Sequence, residues 1–385
     1  MHVLESFAAS CGLKINKPYI YEKYYPLNIE KYIILETNDS KYQAKNYDYW
    51  QEVVNLIQPE LKKNNIHILQ LCGQNDARIT NAYTIVGYSN NQKAFLIKSS
   101  LLYVGSNNLG ISLASHYSKK IVALYGNVFA NQGKPYWSED KDVSLIEGFK
   151  LGEKPSYQPI EQIKTINNIM PDKIAKCILN KLNLSNKINF KYINIGNNFN
   201  NKTIEVVPNM VVDPKVFNLP HLIIRMDLEF NENVLEKTLN ISKCLIVTNR
   251  SISPEIIKKY QKNIVQVFYK IEDNNEPNFI KLLKSLNIQY ILASYLSDEE
   301  INKLKIDYMD LGLIIKLSAN SKDNFKEKIK YYKSNSFIIS NSKLYISEAA
   351  LQRDLPIKNF SDNIQEIINI DKFWMHADKY AFLVD

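Results

Sequence analysis

At 385 residues the chain is long enough for two domains of ordinary size, each with a full core. With 48 Lys and Arg against 40 Asp and Glu, it carries a net charge of +8 that forms no block of like sign, compatible with phosphate-bearing substrates, nucleic acid or an anionic membrane surface. The start Met1-His2-Val3 is not a signal peptide, no apolar run approaches the roughly 20 residues of a spanning helix, and the scattered Cys and His form no disulfide framework or metal spacing, so a cytoplasmic protein with reduced cysteines and no metal site is expected.

His2–Leu13 has apolar residues at helical spacing and stops at Gly12, a suitable C-cap. After a Tyr- and Pro-bearing loop, Tyr32–Leu35 reads as the first strand. It runs into the polar segment Glu36-Thr37-Asn38-Asp39-Ser40. Tyr47–Lys62 reads as a helix with Trp50, Val53, Val54, Ile57 and Leu61 on one face, and Pro59 is expected to kink it. Ile66–Leu71 is a second strand, closed by Cys72-Gly73-Gln74, and Tyr83–Val86 is a third. Asn91–Ser100 is a helix.

The stretch that organises the chain is Leu101–Asn127. Apolar Leu101–Val104 and Ile121–Tyr125 read as strands. Between them the turn Gly105-Ser106-Asn107-Asn108 opens a short helix with a small face, Gly110, Ser112, Ala114 and Ser115. A strand handing over to a helix at such a turn presents free backbone N–H groups and a positive helix end, which suit phosphates. The same pattern also makes an ordinary β-α-β unit without a ligand. Gly126 to Pro159 reads as loops, with Trp137 expected to pin its loop to the domain. Pro171–Leu182 is an amphipathic helix, and the domain boundary is placed in the polar Asn183–Asn189, giving domains 1–185 and 186–385.

The second half repeats the alternation. Strands are expected at Lys191–Ile195, Ile204–Val207, Leu222–Met226, Cys244–Thr248, Ile264–Tyr269, Tyr290–Ala293, Leu313–Leu317 and Phe337–Ser340. Helices are expected at Glu232–Ile241, Pro254–Lys262, Pro277–Leu286, Asp298–Leu304, Lys322–Tyr332, Leu344–Arg353 and Asp362–Ile370. The fold class that follows is α/β, two Rossmann-like, doubly wound domains with parallel sheets. Phe337–Pro356 echoes the central motif weakly, setting Ser340-Asn341 and Ile346-Ser347 against Ser106-Asn107 and Ile111-Ser112.

Strand ends of a parallel sheet converge on one edge. Lys45, Gly73, Asp76, Gly105, Ser106, Asn107, Asn108, Ser112, Gly126 and Asn127 are therefore the candidate ligand residues of the first domain. Lys45 either neutralises a diphosphate or is a solvated lysine at a helix start. In the second domain Arg225, Asp227 and Glu229 close an apolar strand. Asp227 or Glu229 as general base and Arg225 as phosphate ligand is one reading, and an Arg–Asp structural pair is the other. Asn249 and Arg250, in the turn before Ser253-Pro254, form either an anion site or a simple helix cap.

Residues 1–183 resemble the nucleotide-sugar-binding half of heptosyltransferase-like glycosyltransferases of the GT-B fold. The resemblance rests on His2…Glu5…Cys11-Gly12-Leu13, a hinge-helix pattern; on Tyr32–Leu35 followed by Lys45, Tyr47 and Trp50; on Leu71-Cys72-Gly73-Gln74-Asn75-Asp76; and above all on Val104–Ala114 followed by Ile121–Gly126. Within that last motif the family's Asp is Asn107, its His is Ser112 and its Pro is Lys120. The family's acceptor domain precedes this half, whereas here an α/β domain follows it.

The resemblance implies a GT-B-like arrangement of two domains across a cleft, and transfer of a sugar from a nucleotide-diphosphate donor to an acceptor hydroxyl. No cofactor or metal is needed, the nucleotide sugar being a co-substrate. The acceptor is a glycan, a lipid-linked sugar or a nucleic acid, and an anionic membrane surface is a further partner. The neutral Asn107 and Ser112 open a second reading, a non-catalytic binding or assembly protein of the same descent. A third, nucleic-acid binding or nucleic-acid-directed transfer, has only the net charge behind it.

Overall fold

The computed structural model describes residues 1–38, 42–150, 152–217, 221–272, 276–317, 329–357 and 364–385. The chain divides into two compact units, Met1–Tyr192 together with Asp385, and Ile193–Val384.

The first unit runs α1 (Val3–Cys11), β1 (Tyr32–Glu36), α2 (Trp50–Lys63), β2 (His67–Leu71), β3 (Tyr83–Ile85), α3 (Asn90–Ser99), β4 (Leu102–Ser106), α4 (Leu109–His116), β5 (Lys120–Tyr125), α5 (Ala130–Gly133), β6 (Val143–Glu147) and α6 (Pro171–Lys181). Its six-stranded sheet is parallel throughout, in the order β3-β2-β1-β4-β5-β6. The winding reverses between β1 and β4, so helices fall on both faces: α3 and α4 cover one with Ile34, Tyr103 and Ile121, while α2 packs on α6 over the other. Buried on both sides, β1, β4 and β5 are apolar without alternation. Pro59 sits inside α2, which continues to Lys63. The loop expected after Tyr125 holds a sixth strand, β6. As an edge strand with one buried residue, it lacks the apolar run that marks the others. Among the cysteines expected in the core, Cys72 and Cys244 are buried, but Cys11 is exposed because no residue of α1 is buried.

The second unit runs β7 (Lys191–Ile195), β8 (Thr203–Val206), β9 (Leu222–Arg225), α7 (Glu232–Ile241), β10 (Cys244–Thr248), α8 (Pro254–Lys259), β11 (Ile264–Ile271), α9 (Pro277–Ser285), β12 (Tyr290–Ser294), α10 (Asp298–Tyr308), β13 (Ile314–Lys316), β14 (Tyr331–Ser334), β15 (Ser336–Ser340), β16 (Lys343–Tyr345), α11 (Glu348–Gln352), α12 (Ile364–Ile367), α13 (Asp371–Met375) and β17 (Tyr380–Val384). The main sheet has the order β13-β12-β11-β10-β9-β8-β15-β16, and a smaller one has the order β14-β17-β7. The α/β class and the parallel pairing are as the sequence indicates.

In the second sheet the winding reverses at β8, whose other flank takes β15. From β8 to β13 the second sheet advances in one direction, and α7 to α10 share one apolar cluster with Leu222, Ile224, Ile246, Val267 and Leu292. The residues between these on the strands, Ile223, Arg225, Val247, Phe268 and Lys270, fall outside that cluster. A second cluster, built from α11 to α13, β14 and β17, includes Val207 and Ile338 beside the β8 and β15 end.

Three sequence expectations change here. The helix expected over Lys322–Tyr332 lies outside the described residues up to 328, and Tyr331 begins strand β14. Of Leu344–Arg353, the first residues form β16, and the helix starts at Glu348. The echo of the central motif is therefore not a second strand-turn-helix. Ser340 pairs with Lys343 across an antiparallel hairpin, and Asn341 and Ser342 both have positive φ (48° and 61°), as a type I′ turn requires. Of the expected Asp362–Ile370 helix, residues 362–363 lie outside the described residues, and Ile364–Ile367 is helical.

Candidate functional site

The reversal between β1 and β4 places the end of β1, Glu36, beside the end of β4, Gly105-Ser106. Ligands of open parallel sheets bind at such a reversal, outside the carboxyl ends of the strands. Asn107 and Asn108 turn the chain into α4. The Asn108 side chain caps the helix by accepting from the Gly110 N–H at 2.8 Å.

Beneath the turn lies a buried polar relay. The Lys93 ammonium donates to Glu36 Oε1 at 2.6 Å, with both side chains almost fully buried. The Tyr103 hydroxyl is 2.6 Å from Glu36 Oε2 and 2.9 Å from Asn108 Oδ1. Burial, and next the Glu36 charge, push the Tyr103 phenol well above its ordinary range, so it keeps its proton as a donor. A Cβ on Gly110 would fall onto this hydroxyl and the Glu36 carboxylate, which is why α4 opens with glycine there. Above the relay, Lys45 Nζ donates to the Asn107 carbonyl at 2.7 Å and lies 4.5 Å over the Tyr42 ring. An ammonium at a helix start, held by a backbone carbonyl, is suited to a phosphate arriving at the α4 amide groups.

The other candidates of the first unit are placed differently. Asp76 accepts from the Gly73 N–H at 2.6 Å and from the Asn38 amide, so it closes its own turn. Arg78 stitches the same turn through the Gly73 and Gln74 carbonyls. Gly126 lets the backbone at Ile166 approach closely. Asn127 is buried and donates to the Gln158 carbonyl at 2.9 Å, and its own Oδ1 has no partner among the described residues. Ser106 is buried within β4. Ser40 lies outside the described residues.

A cavity of about 720 Å³ opens beside α4. Asn107, Leu109, Ser112, Leu113 and His116 line one wall, spaced as one helical face. The start of α1 and the segment Lys134–Trp137 line the other parts. Of the predicted residues, Asn107 and Ser112 reach this cavity, and Lys45 touches Asn107. His2 anchors α1 there: its Nδ1 accepts from the Leu4 N–H at 3.1 Å, so Nε2 carries the hydrogen it gives the Lys134 carbonyl at 2.9 Å. His2 and Tyr136 lie 4.8 Å apart, and Tyr136 and Trp137 5.6 Å. The Trp137 N–H donates to Ser115 Oγ at 2.8 Å. Burial, and next the Lys17 charge, lower the His116 pKa, so this imidazole is neutral at physiological pH.

In the second unit the expected charged strand end is real, but it is closed on itself. Arg225 holds Asp227 with two hydrogen bonds, 2.7 and 2.9 Å long, binds Glu348 at 2.9 Å and also pairs with Glu205. Lys270 completes the shell of Asp227 at 2.5 Å, and Lys379 that of Glu205 at 2.8 Å. Lys372 and His376 approach Glu348 at 3.1 and 3.3 Å. Burial alone would raise the Asp227 pKa, but Arg225 and then Lys270 outweigh it and lower the pKa. For Glu205 the same contest, with Lys379 and Arg225 opposing burial, ends at about 2. Such carboxylates are poor proton acceptors near neutral pH. Glu229 is exposed and takes a 3.3 Å contact from the Asn209 amide. Asn249 donates to Glu272 at 2.9 Å, and Arg250 lies 6.0 Å over the Phe230 ring. Sequence reasoning missed Glu36, Lys93, Tyr103, Glu205, Lys270 and Lys379; the one local signal was a Glu closing the apolar β1.

Among the described residues no group of three or more His, Cys, Asp or Glu is arranged to hold a metal ion, and no helix is long and apolar enough to cross a membrane.

No protein-family model matches the chain, and no curated protein matches it. Among solved structures it is similar to the glycosyl transferase family 9 protein of Veillonella parvula DSM 2008 (14% identity, 46% of this chain and 49% of that one, TM-score 0.33). It is also similar to E. coli ADP-heptose LPS heptosyltransferase II (16% identity, 46% and 50%, TM-score 0.30). A third is E. coli heptosyltransferase WaaC with ADP (15% identity, 46% and 54%, TM-score 0.29). The chain thus spans about half the length of each. All three are glycosyltransferases by description.

Proposed function

We propose that the first unit binds a nucleotide-diphosphate sugar at the β1/β4 reversal, and that the protein is a glycosyltransferase. The observation that carries this reading is the Lys45 ammonium seated on the Asn107 carbonyl at the mouth of α4, beside a 720 Å³ cavity. The donor's diphosphate lies between Lys45 and the first α4 amides. In transfer the bond from the anomeric carbon to the diphosphate breaks, and the acceptor hydroxyl oxygen bonds to that carbon. Its proton passes to a carboxylate, while Lys45 and the helix end stabilise the departing diphosphate.

The test is a thermal-shift and calorimetric screen against UDP-, ADP-, GDP- and CMP-sugars. Ligand at 100 times its dissociation constant adds about 2.7 kcal/mol of stability. Lys45→Ala should weaken a nucleotide diphosphate roughly tenfold, or about 1.4 kcal/mol, without unfolding the chain. Absence of any shift at millimolar ligand would remove this reading.

The second reading is a binding protein that kept the donor site without transfer. It is favoured by the sequestration of Asp227 between Arg225 and Lys270. Binding of a nucleotide sugar without hydrolysis or transfer to any acceptor would select it.

A further inference from the structure

We propose that the first unit carries a second, separate binding site: a pocket at the amino ends of β2 and β3 that takes an adenine mononucleotide and reads it chiefly by its base.

The pocket has a volume of about 450 Å³, within the range of small-molecule sites. It lies where the last turns of α2 meet the starts of β2 and β3. The Lys45 and α4 site faces the carboxyl ends of the same parallel sheet. With five residues in β2, the two sites are a strand length of about 16 Å apart. Among the described residues none lines both this pocket and the cavity beside α4.

The lining has three parts. Ile66, Ile68 and Ala82 make an apolar floor. His67 and Tyr83 make an aromatic wall, with ring centroids 5.4 Å apart and planes at 79°. At that angle one ring meets the other edge-on, and Tyr83, 52% exposed on the edge strand β3, keeps surface open to a ligand. The amides of Gln58, Asn65 and Asn81 and the ammonium of Lys62 complete the pocket. None of these four side chains has a hydrogen-bond or ion-pair partner among the described residues.

Backbone geometry does not explain this gathering of amides. Asn65 (φ 52°) and Asn81 (φ 67°) sit in left-handed positions that glycine would fill as readily. At Asn65 the chain closes α2, as the Ile66 N–H reaches the Leu61 carbonyl at 3.0 Å. Gln58 lies within α2, where its conformation is unremarkable, and it presents its amide to the same pocket.

The charges and shapes select the ligand. Among the described residues no Asp or Glu lines the pocket, whereas Lys62 does, so an anion is favoured over a cation. An apolar floor and an aromatic wall suit a flat ring, as where bases stack on side chains. A carboxamide presents a donor and an acceptor side by side, the pair that N7 and N6 of adenine complement. Lys62, one turn beyond Gln58 on α2, meets the 5′-phosphate. A sugar phosphate would leave the floor and the ring uncovered. The assignment goes beyond the transferase reading and does not depend on it, because neither Lys45 nor α4 takes part.

The test is isothermal titration calorimetry of the full chain with adenosine monophosphate, adenosine and ribose 5-phosphate. The first two should bind and the third should not. Tyr83→Ser should weaken both roughly tenfold. Lys62→Gln should weaken adenosine monophosphate roughly fivefold and leave adenosine unchanged. Asn81→Gly, which keeps the left-handed backbone and removes one amide, should weaken both several-fold. These side chains are exposed, so the melting temperature should not change. Lys45→Ala should leave this binding intact while it weakens nucleotide sugars, so the two sites fail separately. No heat at millimolar adenosine monophosphate, equal binding of ribose 5-phosphate, or binding that Lys45→Ala abolishes and Tyr83→Ser spares would overturn the proposal.

Discussion

Replacing Arg225 by Met leaves three almost fully buried carboxylates, Glu205, Asp227 and Glu348, short of a cation that touches all of them. Met keeps the length of the stem and adds no polar group. Breaking one buried pair by removing a partner costs about 3–5 kcal/mol. Lys270 and Lys379 remain on Asp227 and Glu205, so the lower part of that range is expected despite the three contacts.

The acid limb sharpens this prediction. Glu205 has a pKa of about 2 against an ordinary 4.5. At about 1.4 kcal/mol per unit, its depressed pKa contributes roughly 3 kcal/mol to folding. The sign follows from the depression. The contribution is fully present above pH 4.5 and is lost as pH falls from there toward 2. In Arg225→Met only Lys379 still holds Glu205 low, so its folded pKa rises toward 4.5 and the acid loss from this group becomes smaller and is complete at higher pH. Urea unfolding followed by circular dichroism, from neutral pH downward, measures both effects. A variant within about 1 kcal/mol of wild type at neutral pH, with the same acid midpoint, would refute the account of this cluster as a mutually dependent network.

Other outcomes follow from the first unit and the hairpin. Tyr103→Phe removes the hydroxyl shared by Glu36 and Asn108 and should cost about 1–3 kcal/mol in denaturant unfolding. Gly110→Ala pushes a methyl into that same hydroxyl and carboxylate and should cost about 1–3 kcal/mol, with a fall in nucleotide affinity because the α4 start must move. Ser342→Gly turns Asn341-Ser342 into the Asn-Gly pair that type I′ turns prefer, and at φ 61° it should raise stability by up to about 1 kcal/mol. Titration of His116 by NMR should give a pKa below the ordinary 6.5, and Lys17→Gln should raise it by removing a nearby like charge.

What could be read from the sequence was what is written locally. The apolar runs at Tyr32, Leu222 and Cys244 announce strands, and Pro171 or Pro254 announces a helix start. Asn107 in the turn and Ser112 on α4 belong to one local motif, and both line the cavity. The rest depends on distance in sequence. Glu36 meets Tyr103 across 67 positions, and Arg225 meets Glu348 across 123, separations that leave no spacing to notice. Asp76 has a suitable type and a suitable place, but the Gly73 N–H that it accepts cannot be seen before the turn is built. The strand at Tyr331 carries a lysine-rich, helix-like approach, and only its antiparallel pairing with β17 decides its state.

The one-way advance of the second sheet also bears on how that unit forms. From β9 to β13 each strand joins its predecessor after one helix, so these pairings close short loops and can zip outward in chain order. The flank of β8 must wait. Its partner is β15, with Val206 set beside Ile339, so that edge remains open until almost the whole unit has been made. During synthesis the vulnerable interval is therefore not the growing end of the sheet but its first strand, an unpaired template that only the last part of the chain can cap.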